Sequence, residues 1–141
     1  MTMHTHNEVV LEGTPVGAPE RSHENHGLVF YRQMLEVPRL SGTPDVLPLL
    51  LRQEQLPLLE AGGPLLAEGQ LRSFNNRGGP GRRLVLTVFV QALRPGTGEP
   101  VNRITLSGTL CKPPIYRRTP LGRSICDLIL AVPRNYGRAD Y

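Results

Sequence analysis

Asp45-Val46-Leu47-Pro48-Leu49-Leu50-Leu51, then Gln53 to Ala61 closed by Gly62-Gly63, then Leu65 to Phe74, is the stretch that decides the fold. The first segment reads as a strand, with Pro48 marking an edge or a bulge. Gln53 to Ala61 has helical composition, but Pro57 limits it to a turn or two and the paired glycines end it. Leu65 to Phe74 is a strand again, broken by Gly69. A strand, a short helix and a strand therefore stand at the centre of the chain.

Working outward, residues 8–13 alternate into a short strand ending at Gly13, and Thr14 through Gly27 is a turn-rich arm carrying Pro15, Gly17 and Pro19. Leu28 through Val37 is a continuous strand stopped by Pro38. On the other side, Asn75 to Gly81 is a flexible basic hairpin loop followed by Arg82-Arg83, and Leu84 to Leu93 is the strongest strand. Arg94 to Pro100 has the composition of a linker. Five strands with a short helix between the third and fourth is the order of a small all-β barrel of the OB type. A barrel suits the chain because closure removes exposed edges and tolerates Gly-punctuated strands. An open five-stranded sandwich fits the same strings nearly as well.

Composition agrees with short strands. The 141 residues are 39% apolar and 20% charged, with 15 Gly and 14 Pro breaking up any long helix. No stretch approaches the roughly twenty apolar residues of a membrane helix. The start of the chain lacks the basic and apolar regions of a signal peptide, so a cytoplasmic location is expected. Charge is uneven: residues 1–69 carry four basic and nine acidic side chains, residues 70–141 twelve basic and three acidic. All the basic residues but Lys112 are Arg, whose planar fork of donors suits phosphate and whose flat cation stacks on bases.

After the linker the opening pattern returns. Asn7-x-Val9-x-Leu11-x-Gly13 reappears 95 residues on as Asn102-x-Ile104-x-Leu106-x-Gly108. At the same offset Pro19 meets Pro114, Gly27 meets Gly122, and Leu35-x-Val37-Pro38-Arg39 becomes Leu130-x-Val132-Pro133-Arg134. One offset held through two strands and the bend between them marks a duplicated unit. Residues 1–94 are expected to form the OB domain and 95–100 a linker. Residues 101–141 are expected to be an incomplete second OB unit, a β-hairpin, because Tyr141 falls where Val46 stands in the first copy. A fragment of a longer protein, docking on the chain's own first barrel, or dimerisation through residues 101–141 would supply what such a hairpin lacks.

The second copy carries Asn102 to Leu110, Pro113-Pro114-Ile115-Tyr116-Arg117-Arg118-Thr119-Pro120-Leu121-Gly122-Arg123 and Leu128-Ile129-Leu130-Ala131-Val132-Pro133-Arg134-Asn135-Tyr136. This resembles the core of bacterial single-stranded DNA-binding proteins: an Asn-initiated strand to a Gly, an Arg-x-Thr-x-x-Gly bend, and a strand ending Leu-Ala-Val-x-Arg. The first copy looks like a more diverged member, close to two-OB variants of some Gram-positive bacteria, and primosomal OB proteins are near relatives. The resemblance implies sequence-tolerant binding of single-stranded DNA in replication, recombination or repair, as an oligomer, with replication proteins as further partners. It implies no cofactor and no metal. The acidic, apolar-tipped tail of the family is absent from these residues.

Holding a single strand without reading its sequence needs cations along a groove and rings on which bases stack. In the first copy the candidates are Tyr31, Arg32, Arg72, Phe74, Arg77, Arg82 and Arg83; in the second, Tyr116, Arg117, Arg118, Arg123, Arg134 and Tyr136. For Phe74 the alternative is a core ring, and for Tyr31 core or interface packing. Enzymatic motifs are missing: there is no GxSxG, no phosphate-loop signature and no Cys-x-x-Cys. An OB oligomerisation or primosome-assembly module working through protein contacts, and an RNA-binding OB protein, are the alternatives.

Overall fold

The computed structural model describes residues 6–75, 84–134 and 139–141, without the side chains of Phe74 and Asn75. Two compact units emerge, Asn7–Thr105 and a second made of Leu106–Tyr141 with the start of the chain.

In the first unit, strands β1 (Asn7–Asn25), β2 (Leu28–Val37), β3 (Asp45–Arg52), β4 (Leu65–Asn75), β5 (Leu84–Pro95) and β6 (Asn102–Leu106) form one sheet. A 3-10 turn (Gln53–Gln55) and a one-turn helix α1 (Pro57–Glu60) join β3 to β4, Pro57 sitting in the first turn of α1 where its missing N–H costs nothing. The core is built from alternate residues of the five long strands: Val9 and Leu11, Leu35 and Val37, Leu49 and Leu51, Leu65 and Ala67, Val88 and Val90, with Leu93. Leu11, Leu35, Leu49 and Leu51 are fully buried, and each such side chain removed from water contributes about 2 kcal/mol.

The sheet corrects the closed five-stranded barrel that the strand order suggests. Its order is β2-β3-β5-β4-β1-β6, so it has six strands and ends on β6, an edge of the kind that closure abolishes. The far half of β1 returns to pair with β2 and curls the sheet, but β3 meets β5 over only two parallel pairs, Leu49↔Val88 and Leu50↔Phe89. Pro48, which has no N–H to offer, precedes that short seam, and the 3-10 turn at Gln53 follows it. A second difference lies in β1, which continues through the expected arm to Asn25. Gly17, at φ +77°, lies within an irregularity between Val16 and Glu20 that takes up Pro19 without ending the strand.

At Gly13 β1 leaves β4 for β2. Before it, Val9 to Gly13 pair with Gly69 to Leu65; after it, Thr14 faces Glu36. A Cβ at residue 13 would overlap the Glu36 carbonyl oxygen. Asn7 extends the β1–β4 ladder with its side chain, donating to the Leu71 carbonyl at 2.8 Å and accepting from the Leu71 amide at 2.7 Å.

The second repeat is not the simple hairpin expected. It forms a three-stranded sheet from β7 (Thr109–Leu110), β10 (Leu130–Pro133) and β11 (Ala139–Asp140), and a two-stranded one from β8 (Ile115–Arg118) and β9 (Ser124–Asp127). β11 stands where β3 begins in the first copy. The 95-residue offset holds pair by pair: Thr14↔Glu36 returns as Thr109↔Ala131, Arg21↔Tyr31 as Tyr116↔Cys126, and Val37↔Asp45 as Val132↔Asp140. Gly108 repeats Gly13, since a Cβ there would overlap the Ala131 carbonyl oxygen. Arg39 grips Asp45 with two hydrogen bonds of 2.8 and 2.5 Å, and Arg134 grips Asp140 with two of the same lengths.

The two clamps differ in burial. The Arg134 and Asp140 side chains are 17% and 6% exposed, against 53% and 26% for Arg39 and Asp45. Arg134→Ala should therefore cost the second unit about 3 kcal/mol by stranding a buried carboxylate, whereas Arg39→Ala changes little; amide exchange at Val132 and Val37 reads both.

Glu12 is buried on β1 and accepts from the Thr97 amide at 2.8 Å, the Thr97 hydroxyl at 3.0 Å and the Gly98 amide at 2.9 Å. The Thr97 amide leads these donors in holding its carboxyl below the ordinary value of 4.5, against the opposing effect of burial. A depressed folded-state value means that the stabilisation is complete above pH 4.5 and is lost as pH falls through the folded value. Denaturant titrations at pH 6 and pH 3 should show the first unit of Glu12→Gln less pH-sensitive than that of the unaltered chain.

Candidate nucleic-acid interface

The face of the sheet turned away from the core carries a line of rings and cations. On β2 the buried row is Gln33, Leu35 and Val37, so Phe30 and Arg32 stand on the opposite row. On β5, Thr87 and Phe89 alternate with the core residues Val88 and Val90. On β4, Gln70 faces Phe89 and Arg72 faces Thr87. These side chains meet. Phe30 stacks on His23 of β1 with centroids 4.9 Å apart and planes 17° from parallel, and it lies 5.9 Å from Phe89. The Arg72 guanidinium sits 5.1 Å over the Phe89 ring and donates to the Gln70 side-chain oxygen at 2.6 Å.

Phe30 is only 6% exposed yet lies outside the main core cluster. The outer face thus has a small apolar nucleus of its own, with the exposed His23 ring at one end and the half-buried Arg72 at the other. Arg52, the ladder partner of Phe30, adds a cation paired with Glu54 at 2.8 Å. A shallow groove of about 330 Å³, lined by Gly27, Leu28, Val29, Arg52, Gln53 and Glu54, runs beside it. The arrangement offers π faces next to fixed positive charge, which is what a flexible polyanion with flat bases requires.

The candidates named from sequence fall into separate places. Arg32 and Arg72 lie on this outer face. Tyr31, half-buried, alternates onto the core-facing row beside Leu51 instead. Phe74 takes its place in the ladder opposite Val85, its side chain lying outside the described residues, as do Arg77, Arg82 and Arg83. Tyr116, Arg117, Arg118 and Arg123 belong to the other unit, on the β8–β9 hairpin. Tyr116 is 67% exposed, and its hydroxyl lies 3.0 Å from the Ser124 hydroxyl. Arg117 donates to Asp127 at 2.6 Å, and that hydrogen bond raises its pKa further above its ordinary range. Arg118 and Arg123 are exposed around a turn in which the Gly122 amide donates to Thr119 at 2.9 Å. Arg134 is engaged with Asp140, and Tyr136 lies outside the described residues.

Sequence reasoning missed His23, Phe30, Arg52 and Phe89. A signal for Phe89 was present: Leu84 to Val90 is apolar on both faces apart from Thr87, more than one core needs. His23 and Phe30 sit at the two sides of the β1–β2 hairpin, and only their register brings them together. Among the described residues no three His, Cys, Asp or Glu side chains gather as a metal site, and no helix is long and apolar enough to cross a membrane.

No family model matches the chain, and no curated protein matches it closely enough to count as a relative. Solved structures do. Wild-type single-stranded DNA-binding protein from Thermus aquaticus superposes with a TM-score of 0.74 at 24% identity, covering 93% of this chain and 70% of that one. A deletion mutant of the same Thermus protein gives 0.69 at 27%, covering 96% and 73%. The N-terminal domain of the PriB protein from Thermoanaerobacter tencongensis, described as dimeric, is 41% identical over 62% of this chain and 93% of its own length, with a TM-score of 0.52. With that identity across nearly the whole PriB domain, and the same OB-like sheet in the Thermus proteins, the chain belongs to the family of PriB and the bacterial single-stranded DNA-binding proteins.

Proposed function

We propose that this protein binds single-stranded DNA without reading its sequence, in replication, recombination or repair, and that it acts by binding and not by catalysis. The observation that carries this reading is the His23–Phe30–Phe89–Arg72 line on the outer face of the OB-like sheet. Bases stack on the exposed His23 ring and along the half-buried Phe89, and Arg32, Arg52 and Arg72 take the phosphates, each with the planar fork suited to an anionic oxygen pair. Phe74, Arg77, Arg82 and Arg83 extend the path at the β4–β5 loop. In the second repeat Tyr116, Arg117, Arg118 and Arg123 supply a further basic surface. Residues 1–94 form the binding domain, 95–100 the linker and 101–141 the second repeat. The protein works as a homo-oligomer in the cytoplasm, associated with the nucleoid. Its relatives support the reading, two by the DNA-binding activity in their names and one by its dimeric state.

Labelled oligo-dT, oligo-U and duplex DNA titrated at two salt concentrations test it. Oligo-dT should bind best, with a salt slope of about 0.7 for each phosphate neutralised. Phe89→Ala should weaken oligo-dT binding by about 1–3 kcal/mol if a base stacks there, and Arg72→Ala should lower the salt slope by roughly one phosphate. Preference for oligo-U would replace DNA by RNA, and silence with all three at low salt would turn the surface over to protein partners. Tight oligo-dT binding that ignores both substitutions would keep the function and move the site.

A further inference from the structure

In the β1–β2 ladder Val16 pairs with Met34 and the next pair is Glu20 with Arg32, so Gly17, Ala18 and Pro19 all stand against Gln33 alone. The Gln33 side chain closes this gap. It is 1% exposed, and its amide nitrogen donates towards the carbonyl oxygens of Val16 and Gly17, both at 3.1 Å, and of Met34 at 3.0 Å. Two N–H groups thus serve the last regular residue of β1, the first irregular one and β2 itself. The other end of the same amide is unsatisfied: Gln33 Oε1 is buried and has no hydrogen-bond partner among the described residues. A buried amide with an orphaned oxygen costs more than an aliphatic side chain of similar size. What offsets that cost is the grip of the nitrogen on β1.

The second repeat carries an aliphatic side chain at this place. There Leu110 pairs with Leu130, the Cys111 amide donates to the Ile129 carbonyl at 3.0 Å, and the ladder resumes with Ile115 opposite Asp127. Lys112, Pro113 and Pro114 are the extra residues, and Leu128 stands against them. Leu128 has no side-chain N–H to give and is 54% exposed. The ladder divides at this point into separate sheets, β7 with β10 and β8 with β9, whereas β1 and β2 run through theirs unbroken. The same three extra residues give a joint against leucine and a continuous strand against glutamine.

Beyond the gap lies one end of the outer-face line. His23 meets Phe30 through the pairs that follow, after one more irregularity at Ser22. If β1 slipped by one residue past Gln33, Phe30 would face Ser22 or Glu24, and the His23 ring would turn to the other face. Burial does not prevent the slip, because Glu20 to Asn25 are exposed throughout. A strand with no buried row has a weakly specified register, and an outside contact has to fix it.

We infer that Gln33 is a positioning residue for the DNA surface: it locks the register of the exposed half of β1 and so sets His23 on Phe30, without itself reaching the ligand. The inference rests on the reading of the outer face as that surface, and its structural half is measured without DNA. Gln33→Met keeps length and burial and removes both donors. In the full chain the His23 ring-proton resonances, displaced by the stacked Phe30 ring, should return towards their unstacked positions in Gln33→Met. Amide exchange from Glu20 to Asn25 should quicken about tenfold, a loss of about 1.4 kcal/mol of local protection, while that at Leu11 is unchanged.

Oligo-dT affinity should fall about fivefold in His23→Ala and to the same extent in Gln33→Met, within the range of one stacked base. The double variant should fall no further, since both changes remove one contact. Losses that add would make Gln33 a purely structural residue and overturn the inference. So would a Gln33→Met protein whose His23 resonances and exchange rates match those of the unaltered chain. Gly17→Val strains the φ +77° backbone from the β1 side and leaves Gln33 in place. It should reproduce the same pattern, and it carries the test if Gln33→Met does not refold by circular dichroism. Failure of the unaltered chain to bind oligo-dT would sink the DNA-binding reading, and the resonances and exchange rates would then decide by themselves whether Gln33 sets His23 on Phe30.

Discussion

The close passage of β1 over β2 at Gly13 is the constraint on which the rest of the first unit depends. One long strand has to serve two neighbours in succession, β4 up to residue 13 and β2 beyond it. The change of partner brings the Gly13 backbone against the Glu36 carbonyl, where any side chain would collide. Everything beneath the curl follows from it, because Val9 and Leu11 come before the crossing while Leu35 and Val37 come at and after it, and all four fill one core. Gly108 over Ala131 repeats the same passage in the second copy, with the same ladder pairs around it. Duplication has preserved the geometry of the crossing where it has let the surrounding side chains drift.

The same curl gives the outer face its chemistry. A flat sheet would hold Phe30 on β2 and Phe89 on β5 apart, with β3 between them; here their rings approach to 5.9 Å. Once together they exclude water from each other and leave His23 and Arg72 as the polar ends of a short apolar strip. The arrangement is stable in its own right and still presents ring and charge to a ligand. That double arrangement is why a nearly buried phenylalanine lies on the face turned away from the core.

Much of the fold was legible beforehand. Alternation in Leu28 to Val37 and Leu84 to Leu93, the turn glycines and the breaker Pro57 placed the strands and the short helix within a few residues. The arm from Thr14 to Gly27 was not, because its prolines and glycines speak for turns, while the structure absorbs them in bulges along a paired strand. Arg72 was named as a candidate because a cation beside a loop is visible in any sequence. Phe89 was overlooked because it is embedded among valines, and composition does not say which side of a strand a residue faces.

What the sequence determined by itself is the repeat and its phase. Hydrophobic alternation, crossing glycines and clamp residues such as Arg39 and Arg134 are local patterns, and a fixed offset of 95 residues carries them intact. What only the tertiary structure decided is which distant residues share a surface and which edge is filled. The ring line on the outer face depends on how far the sheet curls, and β6 lies on β1 beside a buried carboxylate that meets amides 85 and 86 positions away. Such pairings are chosen by the summed packing of every strand at once, and no short stretch of chain carries that information.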